Sequence, residues 1–399
     1  MNPTSIQSSA PSAGKDLSLE AVRGVASLSV LGWHFLFAFY PAFLFDPREG
    51  FLGSPFYGLL HGTAAVGVFF LLSGFVLTRR YFETGHHYLL LEGALKRWFR
   101  LMPLVTISVL LSWGFFHFKL YDYTAAAAVT GTDWLAQSGG SKNPPVHEGL
   151  GAALEQGLFG TFFKGESSFN TNLWTIRFEM IGSLMAFAFA GLVQLLRGKQ
   201  VWLALGIGAC AVTAYAIDPR YEAFLVGTLL AAFLPAYRGI GRLGAAGLLL
   251  LGLFLLGYRA PLGAYAFMMP LQGVDRETMY VFSSILGGAL ILVACTGCAT
   301  LNRALQNSLA RLLGQISFPL YLLHVILICS LGAALFVRLA SGSRDDYFHS
   351  VFNTALVLMA VLFFLSLALA GVDRWWIGHV NRVFARVFRR FSQKAQSPL

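Results

Sequence analysis

The residues best suited to chemistry lie in an apolar segment near the start of the chain, residues 19–40. It is long enough to span a bilayer, yet it contains Arg23 near its start and His34 well inside. In a helix these two residues share one face, about 16 Å apart along the axis. Ionisable side chains within a membrane span are costly and mark functional sites. The alternative is that Arg23 reaches a lipid headgroup and His34 is a hydrogen-bonded packing residue.

A second pair, Arg97 and Arg100, has i,i+3 spacing, so both guanidinium groups project from adjacent points on one helix face. Two such planar donors suit phosphate groups. Positive charge that anchors a helix at the cytoplasmic membrane surface is the competing interpretation.

Further polar residues interrupt other apolar runs. Ser73 precedes Gly74, a pair that suits either close helix packing or the lining of a channel. Glu179 follows Trp174 and could orient His34, bind an acceptor hydroxyl or form an internal salt bridge. Tyr321 and His324, again at i,i+3, fit pocket lining or a satisfied polar contact.

The elements that must position these residues are membrane helices. Of 399 residues, 56% are hydrophobic and 12% charged, about half the charge of a soluble domain. The pattern predicts an all-α, polytopic helical bundle of about ten membrane-spanning helices. Their expected positions are 19–40, 61–79, 98–118, 174–196, 201–217, 221–237, 243–258, 280–299, 316–337 and 350–372.

The basic residues predict the orientation of this bundle. With both termini cytoplasmic, the cytoplasmic segments contain twice as many lysines and arginines as the outer ones. The net charge of +10 is spread over short clusters between apolar runs, so it does not indicate a nucleic-acid-binding face. No zinc, P-loop or dinucleotide motif appears, and no metal is expected.

Three regions follow from this topology. Residues 1–18 form a polar, disordered cytoplasmic tail, 19–372 the transmembrane domain, and 373–399 a basic cytoplasmic tail. The outer loop at about 119–173 is largely irregular, with a short surface helix at EGLGAALEQGLFG. Four residues of this loop could help to bind a glycan, the tryptophan by stacking on a sugar ring: Trp134, His147, Glu148 and Glu166. In the C-terminal tail, NRVFARVFRRF has the spacing of an interfacial helix against anionic membrane lipids.

Five segments, in this order along the chain, resemble landmarks of the acyltransferase 3 family. RGVASLSVLGWH fits R-x10-H, and VGVFFLLSGFVLTRR resembles the F-F-x-x-S-G-F segment. KRWFRLMP resembles R-x-x-R with its following proline, NLWTIRFEM the W-x-x-x-x-E stretch, and GQISFPLYLLH the G-x-I-S-x-x-x-Y-x-x-H stretch. Family members often end their last span with Glu-Arg-Pro, whereas this chain has Asp373-Arg374-Trp375, so the resemblance assigns no role there.

The resemblance implies a multi-pass O-acyltransferase of the bacterial inner membrane. Its donor would be acyl-CoA, usually acetyl-CoA, and its acceptor a hydroxyl of a surface polysaccharide, lipid-linked glycan or related metabolite. Implied catalytic residues are His34, which would deprotonate the acceptor hydroxyl, and Glu179. Implied donor-binding residues are Arg23, Arg97, Arg100 and Ser73, and implied substrate-pocket residues are Trp174, Tyr321 and His324.

Two other functions remain open from the residues. In a secondary transporter or exporter of a polysaccharide precursor or organic anion, the buried Arg, His and Glu would form a substrate or proton path. A non-catalytic membrane scaffold would tolerate their replacement. Within the enzyme hypothesis, direct transfer and a route through an acyl-serine at Ser73 both remain possible.

Overall fold

The computed structural model describes residues 16–46, 51–141, 144–234, 239–271, 273, 275–340 and 344–388, and these ranges contain helices and no strand. Its α-helices are α1 Leu17–Phe39, α2 Pro41–Phe45, α3 Gly62–Thr84, α4 Tyr88–His117, α5 Tyr123–Thr130, α6 Asp133–Ala136, α7 Leu150–Glu155, α8 Trp174–Leu195, α9 Gln200–Ile217, α10 Glu222–Phe233, α11 Arg242–Leu256, α12 Arg276–Gly297, α13 Ala299–Leu305, α14 Ser308–Leu327, α15 Ala333–Leu339 and α16 Arg344–Val387. Shorter 3₁₀ and π turns occupy Pro55–Leu59, Gln156–Lys164, Thr171–Leu173, Pro219–Tyr221, Gly263–Leu271 and Ile328–Gly332.

Within the described part of the chain, eight helical segments are long and apolar enough to cross a membrane: Leu17–Phe39, Gly62–Thr84, Tyr88–His117, Thr171–Leu195, Gln200–Ile217, Arg276–Gly297, Ser308–Leu339 and Asp346–Val387. The predicted class, a polytopic helical bundle, is therefore confirmed. The other two predicted spans contain α10 and α11, which have 12 and 15 residues. Both are shorter than the roughly 20 residues that a full crossing needs.

The predicted region boundaries differ from the helix ends at both termini. Helix α1 already begins at Leu17, where Asp16 caps it by accepting a hydrogen bond from the Ser18 amide at 3.1 Å. The predicted N-terminal tail lies, apart from Asp16–Ser18, outside the described residues. The predicted tail helix is continuous with α16 as far as Val387, and residues 389–399 lie outside the described part of the chain.

The segment 119–173, which the sequence predicts to be an outer loop, is more helical than predicted. It contains α5, α6 and α7, and α7 continues into the π-helical turn Gln156–Lys164, which confirms the short helix expected near residues 148–160. The preceding helices matter for the site because α6 carries Trp134 back over the end of α1.

The two ends of the bundle have different side-chain chemistry. At one end, called the basic end here, the start of α1 meets the ends of α3 and α13: Arg79 pairs with Asp16 at 3.3 Å, and Asn302 bonds Ser18. At the far end, Tyr347 at the start of α16 donates to the carbonyl of Phe39 at 2.6 Å. Helices α1 and α3 thus run in opposite directions, and α16 starts at the far end.

Close packing of α1 against α14 brings together two landmarks that are far apart in sequence. A Cβ atom on Gly314 would lie 2.2 Å from the Glu20 carboxylate, and one on Gly24 would lie 2.4 Å from the Leu313 side chain. Glycine at both positions therefore lets the helix backbones approach.

Helix α3 packs closely against α10. A Cβ atom on Gly74 would lie 2.2 Å from the carbonyl oxygen of Phe224, as expected for a glycine that permits close helix contact. This contact turns the neighbouring Ser73 towards α8 and the interior of the bundle.

Candidate active site

A cavity of about 610 Å³ opens between α1, α3, α4, α8, α14 and α16 in the half of the bundle nearer the basic end. Its deeper wall is mostly apolar, with Val66, Phe69 and Phe70 on α3. Its charged lining consists of Glu20, Arg23, Lys96, Arg97, Arg100, Glu179, Asp373 and Arg374. An apolar pocket with a few convergent polar groups is the usual form of a small-molecule site.

Arg23 lines this cavity, but its guanidinium group is already paired. Its Nη1 atom donates to Glu20 Oε1 at 2.9 Å, one turn earlier in α1. Because the pair is local to one helix, it directs Arg23 along the cavity wall and offsets most of its charge.

Arg97, Ser73 and Glu179 meet at one carboxylate oxygen. Arg97 Nη2 and Ser73 Oγ both donate to Glu179 Oε1, the serine at 2.5 Å. The Arg97 side chain is only 6% exposed, so removal of the carboxylate would leave a buried, uncompensated charge. The three residues join α3, α4 and α8 in a single polar network at the cavity wall.

Arg100 differs from Arg97 although both line the cavity. Its side chain is exposed, and it forms no ion pair with any residue of the described ranges. One turn before it, Lys96 pairs with Glu92 at 2.5 Å. Of the three predicted donor-binding arginines, Arg100 is therefore the one that has no ion-pair partner among the described residues.

Tyr321 forms the inner limit of the cavity. Its hydroxyl donates to the carbonyl of Asn172 at 2.9 Å and lies 2.8 Å from Thr175 Oγ1. Asn172 in turn donates its side-chain amide to the carbonyl of Tyr321. The turn before α8 thereby holds α14 through both the ring and the backbone of this tyrosine.

His34 and His324 lie behind Tyr321, towards the far end, and neither lines the cavity. Their rings have centroids 5.0 Å apart, and His324 Nε2 lies 3.0 Å from His34 Nδ1. The contact shows that His34 faces the bundle interior, because α14 supplies its partner.

The hydrogen-bond partners assign the proton on each ring. His324 Nδ1 lies 2.7 Å from the carbonyl of Tyr321, which can only accept, so this nitrogen carries the hydrogen and Nε2 carries a lone pair. His34 Nδ1 faces that lone pair and the carbonyl of Val30 at 3.0 Å. It must therefore donate, and the Nε2 atom of neutral His34 is left with a free lone pair.

The outer loop covers the same histidine from the far end. The Trp134 ring stacks on His34 with centroids 5.3 Å apart and an interplanar angle of 25°, and Phe37 also stacks on the Trp134 ring, with centroids 5.7 Å apart. His34 and Trp134 are both half-buried. An aromatic surface thus lies directly beside the free imidazole nitrogen.

The structure brings eight of the nine predicted site residues into two adjoining groups. Six line the cavity: Arg23, Ser73, Arg97, Arg100, Glu179 and Tyr321. His34 and His324 form the second group behind it. Trp174 lies outside both, with its ring under the Arg220 guanidinium at 5.6 Å and against Phe178.

Sequence reasoning missed several polar residues of the cavity wall: Glu20, Lys96, Gln315, Asp373, Arg374 and Asn381. Glu20 had a usable signal, since it lies three residues before Arg23 on the same helix face. Asp373 and Arg374 stand where family members often have Glu-Arg, but no role followed from this, because their position against α4 and α14 depends on tertiary packing.

Comparison with known proteins agrees with these landmarks. A family model described as an acyltransferase domain matches residues 16–372, nearly the whole chain. No significant match is found among curated proteins or among solved structures. The match extends from the cap of α1 to the last apolar turns of α16 and includes all nine predicted site residues. The chain belongs to the acyltransferase 3 family and is a multi-pass membrane acyltransferase.

Proposed function

We propose that this protein transfers an acyl group, usually acetyl, from acyl-CoA to a hydroxyl group of a sugar. The donor would enter from the cytoplasm, and the acceptor would be a surface polysaccharide, a lipid-linked glycan or a related metabolite at the bacterial inner membrane. The observation that carries this proposal is the position of a basic cavity directly behind a histidine pair with one free nitrogen.

The cavity lining fits an acyl-CoA molecule. The free guanidinium of Arg100 near the basic end suits a phosphate group, and the apolar wall formed by Val66, Phe69 and Phe70 suits an uncharged arm and acyl chain. Arg23 and Arg97 are ion-paired, so they shape the wall and contribute less charge than Arg100. Bound there, the thioester would supply an activated acyl carbon.

His34 serves as the general base in this proposal. Its free Nε2 accepts the proton of the acceptor hydroxyl while the hydroxyl oxygen bonds to the acyl carbon and the C–S bond breaks. His34 then returns the proton to the leaving sulfur, so the products are an ester and a free thiol. His324 acts as a positioning residue, because its lone pair accepts the His34 Nδ1 hydrogen together with the Val30 carbonyl and so fixes the orientation of the His34 ring.

Direct transfer is favoured over an acyl-serine. Ser73 has a carboxylate at hydrogen-bond distance, but the same oxygen also accepts from Arg97. The same Glu179 oxygen is therefore held by a buried guanidinium that needs it as a partner, so Glu179 is poorly placed to take the Ser73 proton. Glu179 therefore holds the cavity wall in place rather than orienting His34.

Tyr321 lies between the cavity residues and the histidine pair, so it controls contact between the donor and the acceptor. Its ring lies between the cavity and His324, with ring centroids 5.6 Å apart. Direct transfer then requires the side chain to turn away so that the acyl carbon reaches the hydroxyl held beside His34. The acceptor approaches from the far end, along the aromatic surface of Trp134 and Phe37.

The proposal is tested with surface glycans from cells that express the protein and from cells that lack it. Mass spectrometry should show a difference of one acyl group per modified sugar, and purified protein in lipid vesicles should release free CoA only when an acceptor is present. Substrate movement across vesicles without any acyl donor, together with unchanged glycan masses, would instead support the transporter hypothesis.

A further inference from the structure

Helix α16 is much longer than a membrane crossing requires. Its 44 residues span about 66 Å, roughly twice the hydrocarbon thickness of a bilayer. Tyr347 lies at the far end beside Phe39, and Arg374, about 40 Å further along, bonds the side chain of Gln315 at 2.9 Å. The remaining turns continue past the basic half of the bundle.

A hydrogen bond holds these last turns against α4, and a proline in α4 leaves the acceptor for this bond unoccupied. Pro103 has no amide hydrogen, so the carbonyl of Phe99 lacks its normal helical donor. The indole nitrogen of Trp376 donates to that oxygen at 2.7 Å. Phe384, two turns later, stacks near Phe99 and lies 5.5 Å from the Lys96 ammonium group.

One face of this extension forms a wall of the cavity. The lining residues are Asp373, Arg374, Ile377, Gly378, Val380 and Asn381, mostly one helical turn apart. Gly378 lines the cavity, and a Cβ atom there would have no neighbour within 4 Å. The wall therefore leaves open space at this position, next to the charged groups.

Two guanidinium groups without a carboxylate partner line the cavity. Arg374 contacts the neutral amide of Gln315, and neither Arg374 nor Arg100 forms an ion pair within the described ranges. The nearby acid Asp373 offsets only part of their charge, since the cavity contains five basic and three acidic side chains. Two guanidinium groups on facing helices suit a ligand with several phosphate oxygens.

We propose that the C-terminal extension of α16 is part of the donor site and that Arg374, together with Arg100, clamps the phosphate groups of the CoA nucleotide. This inference rests on the proposed function, since it takes CoA as the donor. The Trp376 bond keeps the clamp closed against α4, and Gly378 keeps its entrance wide enough for the nucleotide.

The test measures binding of CoA to the full-length protein in lipid nanodiscs by titration calorimetry. Arg374→Gln removes the charge but keeps an amide that can bond Gln315, so affinity should fall about ten- to hundredfold with an unchanged melting temperature. Arg382→Ala, on the same helix but outside the cavity, is the matched control and should bind like the wild type.

A second variant tests the wall without changing charge. Gly378→Trp should fill the open space and weaken CoA binding at least tenfold. Wild-type affinity in either Arg374→Gln or Gly378→Trp would overturn the clamp. A wild-type protein that binds no CoA would instead overturn the proposed donor, so the two failures are distinguishable.

The hydrogen bond from Trp376 to the Phe99 carbonyl is tested with a matched pair of variants. Trp376→Phe removes the donor to the Phe99 carbonyl, whereas Trp375→Phe changes a neighbouring side chain that is 65% exposed. We expect weaker CoA binding only in the first variant. Equal affinity in both would contradict the role of the extension as a fixed wall of the site.

Discussion

The basic cavity and the histidine pair lie along the same two helices but differ in how they handle charge. In the cavity, two arginines are paired with carboxylates, as Arg23–Glu20 and Arg97–Glu179, and Arg100 and Arg374 form no ion pair among the described residues. Around His34, the contacts come from a second imidazole, a backbone carbonyl and a tryptophan ring. Charge is less costly near the membrane surface than deep within it, which accounts for this division.

The comparison suggests a separation of tasks along α1. The charged half is suited to hold an anionic donor, and the neutral half is suited to move one proton. Substitutions in the cavity should therefore alter donor binding, and substitutions beside His34 should alter the turnover rate.

The largest effect is expected at His34. His34→Gln removes the free Nε2 lone pair and should lower the transfer rate about 10²–10⁴-fold. Donor affinity should stay unchanged, because His34 does not line the cavity. Rates come from release of free thiol, and affinity from calorimetry with CoA.

A matched control exists for this variant. His117 stacks on Trp113 at 5.2 Å, much as His34 stacks on Trp134, yet it lies at the far end of α4 away from the site. His117→Gln should transfer at the wild-type rate. Full activity of His34→Gln would refute the assignment of the base.

A smaller effect, on donor binding, is expected at Arg100. Arg100→Ala removes a charged phosphate contact, of about 1.5–3 kcal/mol, so KM for acyl-CoA should rise about ten- to hundredfold with kcat nearly unchanged. Arg100→Lys should restore only part of the affinity for acyl-CoA, since an ammonium group lacks the planar pair of donors. Steady-state kinetics at varied acyl-CoA concentration gives both parameters.

The control for Arg100 is Arg80→Ala, an exposed arginine at the end of α3 that does not line the cavity. Its KM should equal that of the wild type. If Arg100→Ala lowered kcat and left KM unchanged, the division between donor binding and proton transfer would fail.

His324 should show an intermediate effect with a specific rescue. His324→Met leaves the His34 Nδ1–H without its imidazole acceptor, a loss of about 1–3 kcal/mol that should reduce kcat about 5- to 100-fold. His324→Gln can place a carbonyl oxygen near the former Nε2 position and should retain much more activity. A purely structural role predicts that kcat follows melting temperature in both variants, without rescue by glutamine.

The smallest effect is expected at Trp134. Trp134→Ala removes one stacking face beside His34, which is worth about 0.5–1.5 kcal/mol, so KM for the acceptor should rise about 2- to 10-fold. KM for acyl-CoA should not change. Trp113→Ala removes an equivalent stacked indole elsewhere and serves as the control; a shift in donor KM at Trp134 would contradict the separation.

The sequence alone determined the class of the protein and most of its site. Apolar runs about 20 residues long predict membrane helices because an unpaired backbone cannot cross lipid, and ionisable residues within them are too costly to be incidental. The R-x10-H spacing placed Arg23 and His34 on a common face, and both contribute to the adjoining groups that the structure shows.

Only the tertiary structure decided which of these residues are free to act. Arg97 and Arg100 lie on the same helix face, yet α8 supplies Glu179 to Arg97, whereas Arg100 has no ion-pair partner among the described residues. The Val30 carbonyl, on the same helix, already requires the His34 hydrogen on Nδ1, but the second acceptor for that hydrogen, His324, lies 290 positions away in sequence. Arg374 belongs to a helix whose last turns are directed by a hydrogen bond to α4. Pairwise contacts between distant segments set charge and proton position, and local spacing does not encode them.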